Sequence, residues 1–573
     1  MVSKQPTVRS GKELKKQSLI QLFLFLVILF TLNFISSFFF TRFDLTSENR
    51  YTLSPATKSF IKNIKDVVYV KVYLEGDLPA GFRRLRNNTR EMLDEFRAYS
   101  NGNIEYEFVD PSANPDARER NQLYNQLADK GLQPTNIEQH GKGEASQKII
   151  FPGAVFTYHG QEHALQLLKS KIIGSEEEML NNSMQNLEFA IANEIRGLIT
   201  VVKPKIGFLQ GHAEMRKLQI ADLANSLAEF YRIDSVVIDG KLKSLDTFKA
   251  LVIAKPDSAF SEKDKFVLDQ FIMNGGKVLW MIDKMNMSMD SLRNKEGSAI
   301  AIANSLNLDD QLFRYGVRIN ADLIQDLQAA PILVTTGYVG NQPSQKLLPW
   351  FFFPLLFPTA KHPIVNNINA VKCQFVSSLD TVSSPGVKKT ILLSGSQYGR
   401  LLYNPVRINL GMMRLQPDPK QFNKPFIPVA ALLEGTFTSV FKNRVPPQLA
   451  ESKEINFKSQ SIPSKMIVIS DGDLGRNDVK KGSTLAYPLG YDRLTHQTFG
   501  NKTFLLNCVD YLCDESGLIA VRSKELKLRL LNHTQVEEQK MFWQILNTLL
   551  PVLMIILLGT VITVLRRRKY AAD

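Results

Sequence analysis

Hydrophobic residues follow three patterns along this chain, and each predicts a different kind of element. Residues 18–40 and 541–565 contain no charged side chain over 23 and 25 positions. At about 1.5 Å per residue, either run spans a hydrocarbon core of roughly 30 Å as a helix. The first exceeds the apolar core of a cleaved leader and ends in Phe38, Phe39 and Phe40 rather than in small residues. Both runs are therefore expected to be transmembrane helices, with Pro551 tolerated in the second.

Between them the pattern is that of a water-soluble α/β protein. Residues 67–74 (VVYVKVYL) and 104–109 (IEYEFV) read as strands, 55–64, 82–99 and 118–130 as helices, and 147–168 as paired strands. A long helix is expected over 176–199, with Ser175 as its cap. Together these make 41–200 an α/β unit of thioredoxin-like type. A second unit, 201–515, opens with strand 205–209 and helix 214–231. Strands 233–238, 249–254 and 277–282 and helix 261–274 follow at crossover spacing, which predicts a parallel, doubly wound sheet. The alternation lapses over 290–460, expected as a large insertion, and resumes at strand 465–470 and helix 501–514. Residues 516–540 read as a juxtamembrane stalk.

Composition changes the picture mainly through charge. The chain of 573 residues carries a formal net charge of +14. Half of that excess lies outside the apolar runs, in Lys4, Arg9, Lys12, Lys15 and Lys16 of the 1–17 tail and in Arg566, Arg567, Arg568 and Lys569 of the 566–573 tail. Such flanks orient membrane helices, so both tails are expected in the cytoplasm and 41–540 across the membrane, in the periplasm. Membrane lipid is thus an expected partner. Nucleic acid is not, because no basic patch carries interleaved aromatics. Three cysteines make no disulfide framework. Cys508 and Cys513 lie about 140° apart around a helix and read as buried apolar residues.

Few motifs carry chemistry. His159-Gly160-Gln161-Glu162-His163 has the spacing of a zinc-protease helix, but its flanks alternate as strands and Gly160 suits a hairpin turn. Gly207, Gly211 and His212 fall at the first strand-to-helix turn of the second unit, a place where such folds bind anions. Asp471, Asp473 and Asp478 form an acidic turn after strand 465–470, with a solvated turn weighed against a cation site. Residues 347–357 (LLPWFFFPLLF) are too short and too rich in proline to span a membrane. Trp350, Phe351, Phe352, Phe353 and Phe357 are either core or a contact surface. No phosphate-binding loop with a Gly-Lys-Ser/Thr ending occurs, so this chain is not expected to bind ATP through one, and no cofactor is implied.

The order of these features resembles a known family. Arg50-Tyr51-Thr52-Leu53-Ser54, residues 205–212, Asn274-Gly275-Gly276-Lys277-Val278, residues 350–357 with His362-Pro363-Ile364-Val365, and Ser470-Asp471-Gly472-Asp473 stand between two anchors. That order is similar to the auxiliary components of ABC transport systems, and most closely to the GldG gliding-motility family of Bacteroidetes. The resemblance implies a two-pass inner-membrane subunit without catalytic residues, working with an ABC permease and a separate cytoplasmic ATPase. The second unit also resembles the class I glutamine-amidotransferase fold. Active members of that fold place a cysteine after a central strand, whereas Asp283 follows strand 277–282 here. A membrane-anchored hydrolase and an envelope scaffold are the alternatives.

Overall fold

In the computed structural model the described residues are 11–38, 52–140, 145–169, 176–523 and 537–570, apart from loop positions 201, 239, 341, 415, 447–450, 453–454, 481, 483–484 and 516. Helix α1 (Gly11–Phe38) carries a 16-residue apolar stretch, Leu19–Phe34. The chain resumes with α2 (Pro55–Ile61), where the Ser54 hydroxyl accepts a hydrogen bond from the Thr57 N–H and Pro55 occupies the first turn.

The first unit is built from β1 (Val68–Val72), α3 (Ala80–Tyr99), β2 (Ile104–Phe108), α4 (Ala117–Asp129), the hairpin of β3 (Thr135–His140) and β4 (Ala145–Ile150), then β5 (Gly153–Tyr158) and β6 (Gln161–Gln166). Its sheet runs β2-β1-β5-β6, with β1 parallel to β2 and antiparallel to β5. The expected long helix is two helices, α5 (Glu176–Gln185) and α6 (Leu187–Ile199), broken at Asn186, whose side chain donates to the Asn182 carbonyl. An amide side chain bonding back to the preceding turn competes with the helical ladder there. Ser175 lies outside the described residues.

The second unit follows with β7 (Lys205–Gln210), a 3-10 turn and α7 (Ala221–Ala228), β8 (Arg232–Val237), β9 (Ala250–Ala254), α8 (Glu262–Met273), β10 (Lys277–Met281) and α9 (Asp309–Tyr315). Next come β11 (Ala329–Val339), β12 (Gln342–Pro358), β13 (Val387–Ser394), β14 (Pro428–Gly435), β15 (Ser464–Ile469) and α10 (Asn501–Cys513). One sheet runs β11-β12-β13-β14-β15-β10-β9-β7-β8. From β8 to β15 it is parallel, in the flavodoxin-like order 2-1-3-4-5. Side chains alternate between its faces: Val252 of β9 and Leu279 of β10 pack toward α7 and α10, and Leu251 and Trp280 toward α8 and α9. Burial on both faces explains the unbroken apolar runs at 250–254 and 277–282.

Within the stretch expected as an insertion, several strands form small separate sheets, but β11, β12, β13 and β14 join the main sheet. Strands β13 and β14 continue it from β15 in antiparallel register. The periodic signal lapses because antiparallel strands need no crossover helix between them. The stalk expectation also changes at its start. Leu518, Ile519 and Val521 are buried in the first unit's core beside Leu53 and Ile61, and 524–536 lie outside the described residues. Helix α11 (Lys540–Tyr570) follows. Among the described residues, its span Lys540–Arg568 is the one helix long and apolar enough to cross a membrane.

The aromatic run is mostly core. Trp350, Phe352 and Phe353 on β12 are buried and pack with Phe375, Ile332 and Ile408, whereas Phe351 and Phe357 are half-buried. As a contact surface the run therefore reduces to the edges of Phe351 and Phe357. Pairing of β12 with β11 satisfies the backbone and leaves its rings to fill the space beneath. Replacing Phe352 with alanine is expected to cost about 3–5 kcal/mol of stability, measured by thermal or denaturant unfolding. An unchanged midpoint would contradict its core placement.

Candidate functional site

In an open parallel sheet, ligands bind beyond the carboxyl ends of the strands, at the point where strand order reverses. Here that point lies between β7 and β9, and the loops after β7, β9, β10 and β15 meet there. Gly211 follows β7 with φ +119°, a conformation that favours glycine. Gly207 plays another part. It lies inside β7, where a Cβ would meet Leu251 and Phe248 at 2.8 and 2.9 Å, so it serves sheet packing and not the turn.

The turn itself is filled by the protein's own carboxylate. The His212 N–H donates to Glu214 Oε2 at 2.8 Å, and the His212 ring nitrogens lie 3.2 Å from Glu214 Oε1 and 3.4 Å from Asp264 Oδ2. The ring stacks on Phe260 at 3.7 Å. Burial disfavours the imidazolium, but Glu214 and Asp264 outweigh it and raise the His212 pKa. An anion's place at this turn is thus taken by Glu214.

One strand over, Lys255 adopts φ +53° after β9 and reaches Asp283 Oδ2 at 2.8 Å and Asp473 Oδ2 at 2.5 Å. Asp283 follows β10 and accepts the Gly472 N–H. Only glycine permits that approach, because a Cβ at 472 would lie 2.9 Å from both Asp283 and Lys255 side chains. Asp471 accepts the N–H groups of Asp473 and Gln374 at 2.8 and 2.9 Å, and lies against the Cys373 thiol. Burial, with the neighbouring carboxylates, pushes Asp283 up to about 6 and Asp471 up to about 8. Lys255 is raised, its burial outweighed by the two aspartates.

Of the acidic turn, Asp471 and Asp473 therefore join the cluster, while Asp478 is exposed and apart. Lys255 and Asp283 complete it, and sequence reasoning did not assign them a role. The available signal was their position, one and two residues past two adjacent parallel strands. Chemically the arrangement is a closed charge lock. Asp283, Asp471 and Asp473 are each less than a tenth exposed, and a lysine ammonium stands where a cation would. The cysteines are buried too, and burial raises the pKa of each thiol. The histidine pair of the zinc-like pattern is a hairpin: His159 (φ +48°) and Gly160 (φ +77°) make its two-residue turn, and His163 sits on β6 opposite Phe156.

Residues 203–508, more than half of the chain, match the family described as an ABC-type uncharacterized transport system, auxiliary component. The chain belongs to this family. Residues 47–157 match a second family, a domain of unknown function. An uncharacterized protein of Borreliella burgdorferi is 20% identical over 437 residues, covering 75% of this chain and 80% of that protein. Among solved structures, the N-terminal domain of mmIFT52 aligns with 54% of this chain and 96% of its own, at 15% identity and a TM-score of 0.29. Membership fits a family role that is accessory and not catalytic.

Replacing Lys255 with methionine removes the ammonium shared by two buried carboxylates and is expected to cost about 3 kcal/mol at pH 8. Without the ammonium the raised pKa of Asp283 rises further. The folded state then holds more protons than the unfolded one, so stability falls as pH rises, and the loss is smaller at pH 5. Unfolding of the full-length variant at both pH values checks this; an equal loss at each contradicts the pairing.

Proposed function

We propose that this chain is a membrane-anchored accessory subunit of an ABC transport complex, with its α/β body in the periplasm of a Gram-negative bacterium. On this reading it works with a permease and a separate cytoplasmic ATPase in gliding motility, and its two-pass topology sets both termini in the cytoplasm. The observation that carries the proposal is the family match over 203–508, joined to the membrane-length helix α11. The second unit then serves as an amidotransferase-like fold without its nucleophile, and the first as a thioredoxin-like unit, a reading its strand order β2-β1-β5-β6 supports.

Attachment geometry supports the anchoring. The Ser54 N–H and the Thr57 hydroxyl donate to the buried Glu188 carboxylate of α6 at 2.6 and 2.9 Å. Segment 518–523, which leads toward α11, packs on α2 and α6. The chain thus leaves the body toward both apolar helices from one place on the first unit, as a body held over a pair of neighbouring membrane helices requires.

Two measurements test the proposal. Purification from native membranes under mild detergent and crosslinking should recover a permease and an ATPase with this chain; recovery of neither overturns the accessory role. Reporter fusions at residue 1, near residue 300 and at residue 573 should place only the middle one outside the cytoplasm. A cytoplasmic signal near residue 300 overturns the topology.

A further inference from the structure

Beside α9 a cavity of about 780 Å³ lies between residues 318–321 and 440–444, within the range of built binding sites, roughly 300–1,000 Å³. Lys284, Arg314, Arg318, Lys442 and Arg444 line it against two carboxylates, Asp309 and Asp310. Both carboxylates are already taken. Asp309 meets Lys284 at 2.8 Å, and Asp310 meets Arg444 and the buried Lys265 at 2.9 Å each. Arg318 in turn meets Asp380 at 2.7 Å. That leaves Arg314 and Lys442, both exposed, with no acidic partner among the described residues. The cavity therefore carries two cations in excess.

The same cavity runs along the open edge of a two-stranded ribbon. Strand Val317–Ile319 pairs antiparallel with Leu379–Thr381, Arg318 opposite Asp380. The Asn320 N–H donates to the Ser378 carbonyl and the Val382 N–H to the Gly316 carbonyl, each at 2.9 Å. In an antiparallel ladder every second residue bonds across, so Val317 and Ile319 turn their N–H and C=O groups away from the partner strand. Among the described residues no third strand pairs with that edge, and the backbone of Ile319, a buried residue that lines the cavity, has no hydrogen-bond partner. An open strand edge is a template for another chain.

The two demands together select the occupant. Lipid headgroups or nucleic acid would answer the cations but bring no strand to the edge, whereas a peptide with carboxylates answers both. Phe313, 51% exposed on the cavity wall, adds a place for one apolar side chain. This chain's own stretches outside the described residues do not supply the acid. Residues 524–536 hold Lys524, Lys527 and Arg529 against Glu525, and 39–51 hold Arg42 and Arg50 against Asp44 and Glu48. We propose that the cavity docks an extended acidic segment of a partner protein, which adds as a strand along Val317–Ile319, sets its carboxylates on Arg314 and Lys442 and rests an apolar side chain on Phe313. The inference rests on this cavity alone and stands whether or not the partner is a permease.

Fluorescence anisotropy with full-length protein in detergent tests it. The probe is a fluorescein-labelled peptide that alternates glutamate with valine around a central phenylalanine. Its control is the same peptide with every backbone amide N-methylated, which keeps the charge but cannot form a ladder. The parent probe should bind, and N-methylation, Lys442→Glu and Arg314→Gln should each weaken binding about fivefold or more. Lys442 and Arg314 are exposed, so both variants should keep the parent melting temperature, and Lys442→Glu carries the test alone if Arg314→Gln misfolds. No binding of the probe, equal binding of the methylated peptide, or binding indifferent to Lys442→Glu overturns the proposal.

Discussion

One lysine closes the part of this fold where chemistry would otherwise be sought. Lys255 is held after β9 with its ammonium between Asp283 and Asp473, and Gly472 lets the backbone come close enough to bind Asp283 from the other side. Taking these charges out of water is costly unless each is answered, so the loops after β9, β10 and β15 are fixed relative to one another. The same interaction fills the carboxyl edge of the sheet beside β9 and β10 with a buried ion pair.

The second organising element is helix α6. It carries Glu188, which fixes the segment before α2; Phe189, which supports Arg522; and Arg196, which meets the buried Asp510 of α10 at 3.4 Å. Asp510 also accepts the Tyr231 hydroxyl at 2.7 Å. Membrane-proximal chain, first unit and second unit thus share one helix.

Much of the fold was legible because its strongest signals are local. Runs 250–254 and 277–282 are buried on both faces of a parallel sheet, and Ser54-Pro55 and Ser261 are helix starts in the sequence as in the structure. The β13–β14 half was not legible, since Leu432 and Leu433 on β14 are buried on opposite faces and leave no alternation to read. The candidate site was half legible. Asp471 and Asp473 stand out as a pair, but Lys255 is an ordinary lysine until the sheet brings it beside them. The burial of 518–521 was not legible, because the stretch reads as polar stalk and meets the first unit's core only through contacts distant in sequence.

The central claim, an accessory subunit whose influence passes through contacts, is tested most directly by ATP turnover in membranes. The partner permease and ATPase would be assayed in vesicles prepared with and without this chain. ATP turnover should change severalfold on adding the full-length protein, which alone should hydrolyse none. Identical turnover with and without it, or hydrolysis by the isolated chain at enzyme-like rates, would contradict the account.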